Sequence, residues 1–124
     1  MTLVDSCGWL EVLIDGPLAE RYAAYLSDPT QVVTPTIVLY EVYKKVRLER
    51  NEEDALRAAA QMKKTRLIPL TESIALTAAD LGLAHRLAMA DAVVYATAIL
   101  HAARLVTSDA DFELLPEVTY LARS

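Results

Sequence analysis

Four acids stand well apart in the chain, Asp5, Glu41, Asp91 and Asp109, and a fifth, Asp111, follows the last of them closely. Each lies against an apolar run. Asp5 follows Thr2-Leu3-Val4, Asp91 precedes the uncharged stretch Ala92 to Leu100, and Asp109 lies just beyond Leu105-Val106. Glu41 is the one charge within Ile37-Val38-Leu39-Tyr40-Glu41-Val42-Tyr43, where burying it unpaired would be costly. Carboxylates gathered in one crevice repel each other, so they take up protons or need a cation to offset their charge. Oxygen donors without histidine or cysteine among them favour Mg²⁺ or Mn²⁺ over Zn²⁺. Such an ion keeps waters and open positions, which suits activation of water for in-line attack on a phosphodiester. Taken singly the acids have plainer readings: Asp5 as a strand-end turn residue, Asp91 as a carboxylate favoured by its helix dipole.

The elements that must position these acids read as short strands alternating with helices. Thr2-Leu3-Val4 is a strand ending at Asp5, with Ser6 as cap of a helix carrying Trp9, Leu10, Val12, Leu13 and Ile14. A second helix spans roughly Leu18 to Leu26, Gln31-Val32-Val33 is a strand, and Thr34 with Pro35 opens a long helix through Glu41 to about Arg50. Asn51 caps the next helix, which runs through Ala55, Leu56, Ala59 and Met62. Leu67 to Leu70 is a strand whose Pro69 suits an edge or a strand end, and Thr71 caps a helix to about Arg86. The helix opened by Asp91 must be covered nearly all round. A strand from Arg104 to Thr107, a turn around Asp111 to Glu113 and a last strand near Val118 to Leu121 complete the chain. The alternation predicts one α/β domain over residues 1–124, a three-layer α/β/α sandwich around a central, mainly parallel sheet. In such a sheet the functional crevice lies at the carboxyl ends of the strands, the edge to which Asp5, Glu41, Asp91 and Asp109 all map.

Bulk properties narrow the function classes. With 54% hydrophobic residues the 124-residue chain can bury a proper core. A net charge of −5 argues against sequence-independent wrapping of nucleic acid, though not against a local basic path or a bound cation. The single cysteine, Cys7, excludes an internal disulfide and agrees with a reducing compartment, the cytoplasm by default. Asp5 interrupts the first apolar run too early for a signal peptide, and the apolar stretch at 92–100 is too short to span a membrane.

The succession Leu3-Val4-Asp5-Ser6, Thr34-Pro35 ahead of Glu41, Met89-Ala90-Asp91-Ala92, and Leu105-Val106-Thr107-Ser108-Asp109-Ala110-Asp111-Phe112 resembles that of a PIN-domain ribonuclease of the VapC toxin type. The resemblance spans nearly the whole chain. It implies a Mg²⁺- or Mn²⁺-dependent endoribonuclease, the toxin of a toxin–antitoxin pair, with Asp5, Glu41, Asp91 and Asp109 as catalytic metal ligands. Thr107 would orient the site, with Ser6 beside it, and Asp111 could be a ligand, a group behind a ligand or a turn residue. The resemblance further implies a homodimer, with an apolar groove on the early helices for a cognate antitoxin. Where many relatives place serine or threonine ahead of the third acid, this chain has Ala88-Met89-Ala90, so Asp91 is expected to double as its own helix cap.

Among other residues, Lys44 and Arg47 follow Glu41 on one helix and could guide an RNA backbone toward the metal, whereas Lys45 and Arg50 read as a solvated face. Cys7 reads as a small core hydrophobe, and His85 and His101 as surface or helix-end residues. Trp9, Tyr22, Tyr25, Tyr40 and Tyr43 read as core or interface at helical spacing. A haloacid-dehalogenase-like phosphatase would show Asp-x-Asp after the first strand, where this chain has Asp5-Ser6-Cys7. The non-enzymatic alternatives are a phospho-receiver domain, which would need early paired acids and a late lysine, or a PIN fold that only binds a partner.

Overall fold

In the computed structural model, which describes residues 1–123, short strands alternate with helices. They are β1 (Thr2–Val4), α1 (Ser6–Leu13), α2 (Ala19–Tyr25), β2 (Val33–Pro35), α3 (Thr36–Glu49), α4 (Glu52–Met62), β3 (Arg66–Ile68), α5 (Glu72–His85), α6 (Met89–Leu100), β4 (Arg104–Thr107) and β5 (Val118–Tyr120). Strands β1, β4 and β5 form a parallel sheet in the order β1-β4-β5, and β2 pairs in parallel with β3. One parallel bridge, Thr2 to Val32, joins the two pieces into the order β3-β2-β1-β4-β5. The expected single sheet is therefore continuous in layout but interrupted in its hydrogen bonding beside β2, a three-residue strand whose Pro35 has no N–H to give.

Because the pairings are all parallel, each connection crosses over the sheet, and right-handed crossovers put α1 to α4 on one face and α5 and α6 on the other. The result is the three-layer α/β/α sandwich. From β1 the chain winds outward to β2 and β3, then returns past β1 to β4 and winds the other way. The winding thus reverses between β1 and β4, and a crevice opens outside their carboxyl ends. Asp5 ends one of these strands and Asp109 follows the other.

Leu3, Val4, Val33, Leu105 and Val106 are fully buried in the sheet, and Tyr22, Val38, Val42 and Met62 close over it from the helices. Each such side chain contributes about 1.5–3 kcal/mol of burial. Gly8 lets α1 and α2 approach, since a Cβ there would lie 2.5 Å from the Tyr22 ring and 2.6 Å from Val4. Helix α6 is buried from Ala92 to Ala98, but its cover stops there: Ile99 is 40% and Leu100 45% exposed.

Helix starts that depend on a side chain reaching its own backbone are where the sequence places them. Asn51 accepts from the Asp54 N–H at 2.8 Å, and Thr71 from the Ile74 N–H at 3.2 Å. Others differ. Asp5, not Ser6, caps α1, and Ser6 is its first residue. Residues Pro29–Gln31 form a 3-10 turn capped by Asp28, so the second strand is Val33–Pro35 rather than Gln31–Val33. Thr34 therefore lies in β2, fully buried, and its hydroxyl meets Thr65 Oγ1 at 2.6 Å instead of capping α3, which begins at Thr36. Asp91 is the third residue of α6; Ala88 occupies the cap position with no side-chain bond, so Asp91 does not cap its own helix. Strand β3 lies at the edge of the order, ending just ahead of Pro69.

Candidate active site

The crevice is built outward from Asp5. Its N–H donates to the Val106 carbonyl at 3.1 Å, continuing the β1–β4 pairing by one residue, and its side chain is turned into the switch point with 5% exposure. Asp5 Oδ1 accepts from the Ser6 N–H at 2.8 Å, and Oδ2 accepts from the Thr107 hydroxyl at 2.9 Å. Thr107, the last residue of β4, is fully buried, and its Oγ1 also accepts the Asp109 N–H at 3.0 Å. One hydroxyl thus ties the acid after β1 to the acid after β4. Asp109 in turn accepts from the Asp111 N–H at 2.9 Å, capping the turn Ala110–Phe112, which buried Phe112 anchors to the core.

Asp91 reaches the same place from the first turn of α6, and carboxylate oxygens of Asp91, Asp109 and Asp111 lie within 4.8 Å of one another. Glu41 enters from the second turn of α3, so Asp5, Glu41, Asp91 and Asp109 line one concavity. Asp111 is exposed at its rim. The tightest group is therefore not the four acids first singled out; it includes Asp111 and leaves Asp5 and Glu41 a little further off.

The acids load one another electrostatically. Burial, with Asp5 and Asp91 nearby, pushes the Glu41 carboxyl up to about 7. Asp91 rises to about 6 through burial and then the charges of Asp109, Asp5 and Asp111. Asp5 is raised by burial and, more weakly, by Asp109, against the hydrogen bonds from Thr107 and the Ser6 N–H. A divalent cation removes this conflict, and the donors are the hard oxygens that Mg²⁺ and Mn²⁺ take. Neither histidine competes for that role. His101 Nδ1 lies 3.0 Å from the Thr97 carbonyl at the end of α6, and His85 meets the edge of Tyr95 at 5.9 Å.

Lys44 and Arg47 do not line this concavity. Lys44 is drawn back one turn to Tyr40, 3.3 Å from its hydroxyl and 5.5 Å above its ring, and Arg47 pairs with Glu52 at 3.0 Å. Both belong to a neighbouring hollow with Tyr43 and Asn51. The cation in the acidic crevice is Arg123, which sequence reasoning passed over. Three groups stand behind the acids, and sequence reasoning gave none of them a part in the site. Cys7 is half-buried at the crevice wall, with Sγ 3.6 Å from Thr107 Oγ1 and accepting the Ser108 N–H at 3.4 Å. Its reading as a plain core hydrophobe is corrected. Tyr22, fully buried on α2, shares a short hydrogen bond with the Ser108 hydroxyl. The one sequence signal for these was the position of Ser108 between Thr107 and Asp109.

A family model describing the PIN domain matches residues 2–118. The chain belongs to the PIN-domain family. That membership leaves the phosphatase and receiver readings without support. Among solved structures, the toxin–antitoxin complex from Klebsiella pneumoniae is similar with a TM-score of 0.83 and 24% identity, covering 96% of this chain and 96% of that one. The Mycobacterium tuberculosis toxin VapC20, described as cleaving the sarcin–ricin loop, has a TM-score of 0.77 and 19% identity, covering 94% and 95%. FitAcB from Neisseria gonorrhoeae has a TM-score of 0.73 and 21% identity, covering 98% and 96%. At these identities the likeness is one of fold. No curated protein matches the chain. Among the described residues no single helix is long and apolar enough to cross a membrane.

Proposed function

We propose that this PIN-domain protein is a Mg²⁺- or Mn²⁺-dependent endoribonuclease and the toxin of a toxin–antitoxin pair. The observation that carries the reading is the convergence of Asp5, Glu41, Asp91 and Asp109 on one concavity at the switch point, with Asp111 at its rim. Asp5, Asp91, Asp109 and Glu41 hold the metal. When bound, the ion supplies Lewis acidity toward the phosphate and a more acidic water. Asp5 is locked by Thr107 and the Ser6 N–H, so it presents its carboxylate without reorganising. Glu41, which burial and its acidic neighbours push up to about 7 in the metal-free protein, completes the carboxylate set from α3 and gives up its proton as the ion binds. Lys44 and Arg47 contact the RNA farther along α3, away from the scissile bond.

The toxin role draws support from the fold shared over nearly full length with the Klebsiella complex and VapC20. On that reading an antitoxin covers the early helices, where Leu10, Leu13 and Ile14 of the α1 region face α4 across an apolar groove, and the protein forms a homodimer. It works in the cytoplasm, consistent with a lone free cysteine. The direct test is cleavage of RNA with Mn²⁺ by the wild type and by Asp91→Asn. The variant should lose at least about 100-fold in rate, the upper end of what losing even a group behind a metal ligand costs. Equal cleavage by both proteins would remove the assignment. No divalent binding at millimolar Mn²⁺ would favour a PIN fold that only binds its partner.

A further inference from the structure

We propose that Arg123 binds the RNA phosphate next to the scissile bond and so directs the strand from the acidic crevice into the groove along α1. The inference rests on the ribonuclease reading. Its basis is the segment after β5. Because β5 runs parallel to β4, with Tyr120 opposite Thr107, it ends on the same edge as the acids. The Leu121 N–H donates to the Thr107 carbonyl at 2.8 Å and the Leu121 side chain is 2% exposed, so the backbone is fastened to the very residue that orients Asp5. Two residues on, Arg123 borders both the acidic crevice and an adjoining groove formed by α1, the α1–α2 connection and Lys45 of α3. The two hollows share Ser6, Cys7 and Arg123.

Charge makes this position matter. Four carboxylates around one divalent ion still leave a negative crevice, and a phosphodiester brings further negative charge. Arg123 is the only cation among the described residues lining that crevice. A guanidinium offers paired donors matched to phosphate oxygens, and among the described residues no carboxylate pairs with it. In the adjoining groove Lys45 is a second cation, beside Glu11, whose Oε1 accepts the Leu18 N–H at 2.9 Å. The pair of Lys45 with Glu49, at 2.9 Å, joins side chains 53% and 55% exposed, so it exchanges readily for a phosphate. Neither Lys44 nor Arg47 borders the crevice or this groove.

The experiment compares wild type, Arg123→Ala, Arg123→Lys and Lys64→Ala on a single-stranded RNA. Steady-state cleavage in Mn²⁺ is combined with RNA binding at several salt concentrations in an Asp91→Asn background and with Mn²⁺ titration of each protein. Arg123→Ala should raise KM about tenfold with kcat little changed, the size of one charge-assisted hydrogen bond. Its log–log salt slope should fall by about one, as for a lost phosphate contact. Lysine should restore part of both, and Lys64→Ala, at an exposed position after α4 outside both hollows, should leave KM close to wild type. Mn²⁺ should bind Arg123→Ala as tightly as wild type or more so, because a neighbouring positive charge has gone. Unchanged KM and salt slope in Arg123→Ala overturn the proposal while wild-type cleavage leaves the ribonuclease reading intact. Weakened Mn²⁺ binding together with weakened RNA binding assigns Arg123 a structural role and also overturns it. Failure of the wild type to cleave or bind RNA overturns both.

Discussion

Thr107 concentrates much of the site in one oxygen. Its hydroxyl donates to buried Asp5 and accepts from the Asp109 backbone, so Thr107→Val keeps the shape while leaving two polar groups short of a partner. The expected loss is about 1–3 kcal/mol in denaturant unfolding, with weaker Mn²⁺ binding measured in parallel. The acids also give a pH signature. Glu41 and Asp91 hold their protons more tightly in the folded chain, at about 7 and about 6, than at their ordinary 4.5 and 3.8. Their contribution is complete below the ordinary values and is lost as pH rises through the folded ones. The metal-free protein should therefore lose stability from these two groups between about pH 4 and pH 7, and Glu41→Gln should flatten the thermal-melting profile across that window. Mn²⁺-dependent cleavage should rise over the upper part of it, as the carboxylates become free to bind metal. The acids themselves were readable from sequence, because a charge beside an apolar run is a local anomaly. Arg123 was not, since nothing within the sequence around it shows that β5 ends beside Thr107.

At the scale of elements, the close approach of α1 and α2 at Gly8 supports the crevice from behind. Tyr22 fills the space a Cβ would need, and its hydroxyl holds Ser108 beside Asp109. Gly8→Ala should cost about 1–3 kcal/mol by overpacking, seen as a lower midpoint in chemical denaturation with an unchanged slope. The same comparison separates what the chain states locally from what it does not. Asn51 and Thr71 cap their helices as read, because each needs only the backbone three residues on. Thr34 carries the same cap signal but answers to Thr65, thirty-one residues away on the neighbouring strand segment. Lys44 and Arg47 shared a helix with Glu41, yet Arg47 lies about 120° round it and Lys44, on a neighbouring face, is drawn back to Tyr40, so neither side chain enters the crevice. Strand β4 was read with its boundaries intact because its apolar pair Leu105-Val106 is flanked by the polar Arg104 and Thr107, the strand's two end residues.

Across the whole molecule, the proposed metal site would couple ion binding to folding, since its candidate ligand oxygens come from α3, α6 and the segments after β1 and β4. Mn²⁺ at about 100 times its dissociation constant should raise the stability by about 2.7 kcal/mol, read as a concentration-dependent rise in melting temperature. Asp109→Asn should blunt that rise; an equal rise in the variant would show that the ion binds elsewhere. Layer order and strand direction followed from the alternation of apolar runs, whereas the interruption beside β2 depends on a three-residue strand that no periodicity resolves. The hydrogen bond from Thr107 to Asp5 joins residues separated by 102 positions. As the polypeptide is made, Asp5 appears well before β4, the strand whose Thr107 holds it. A chain that stops before β4 carries three of the acids but no partner strand for Asp5, so the crevice forms only once both sides of the winding reversal are present.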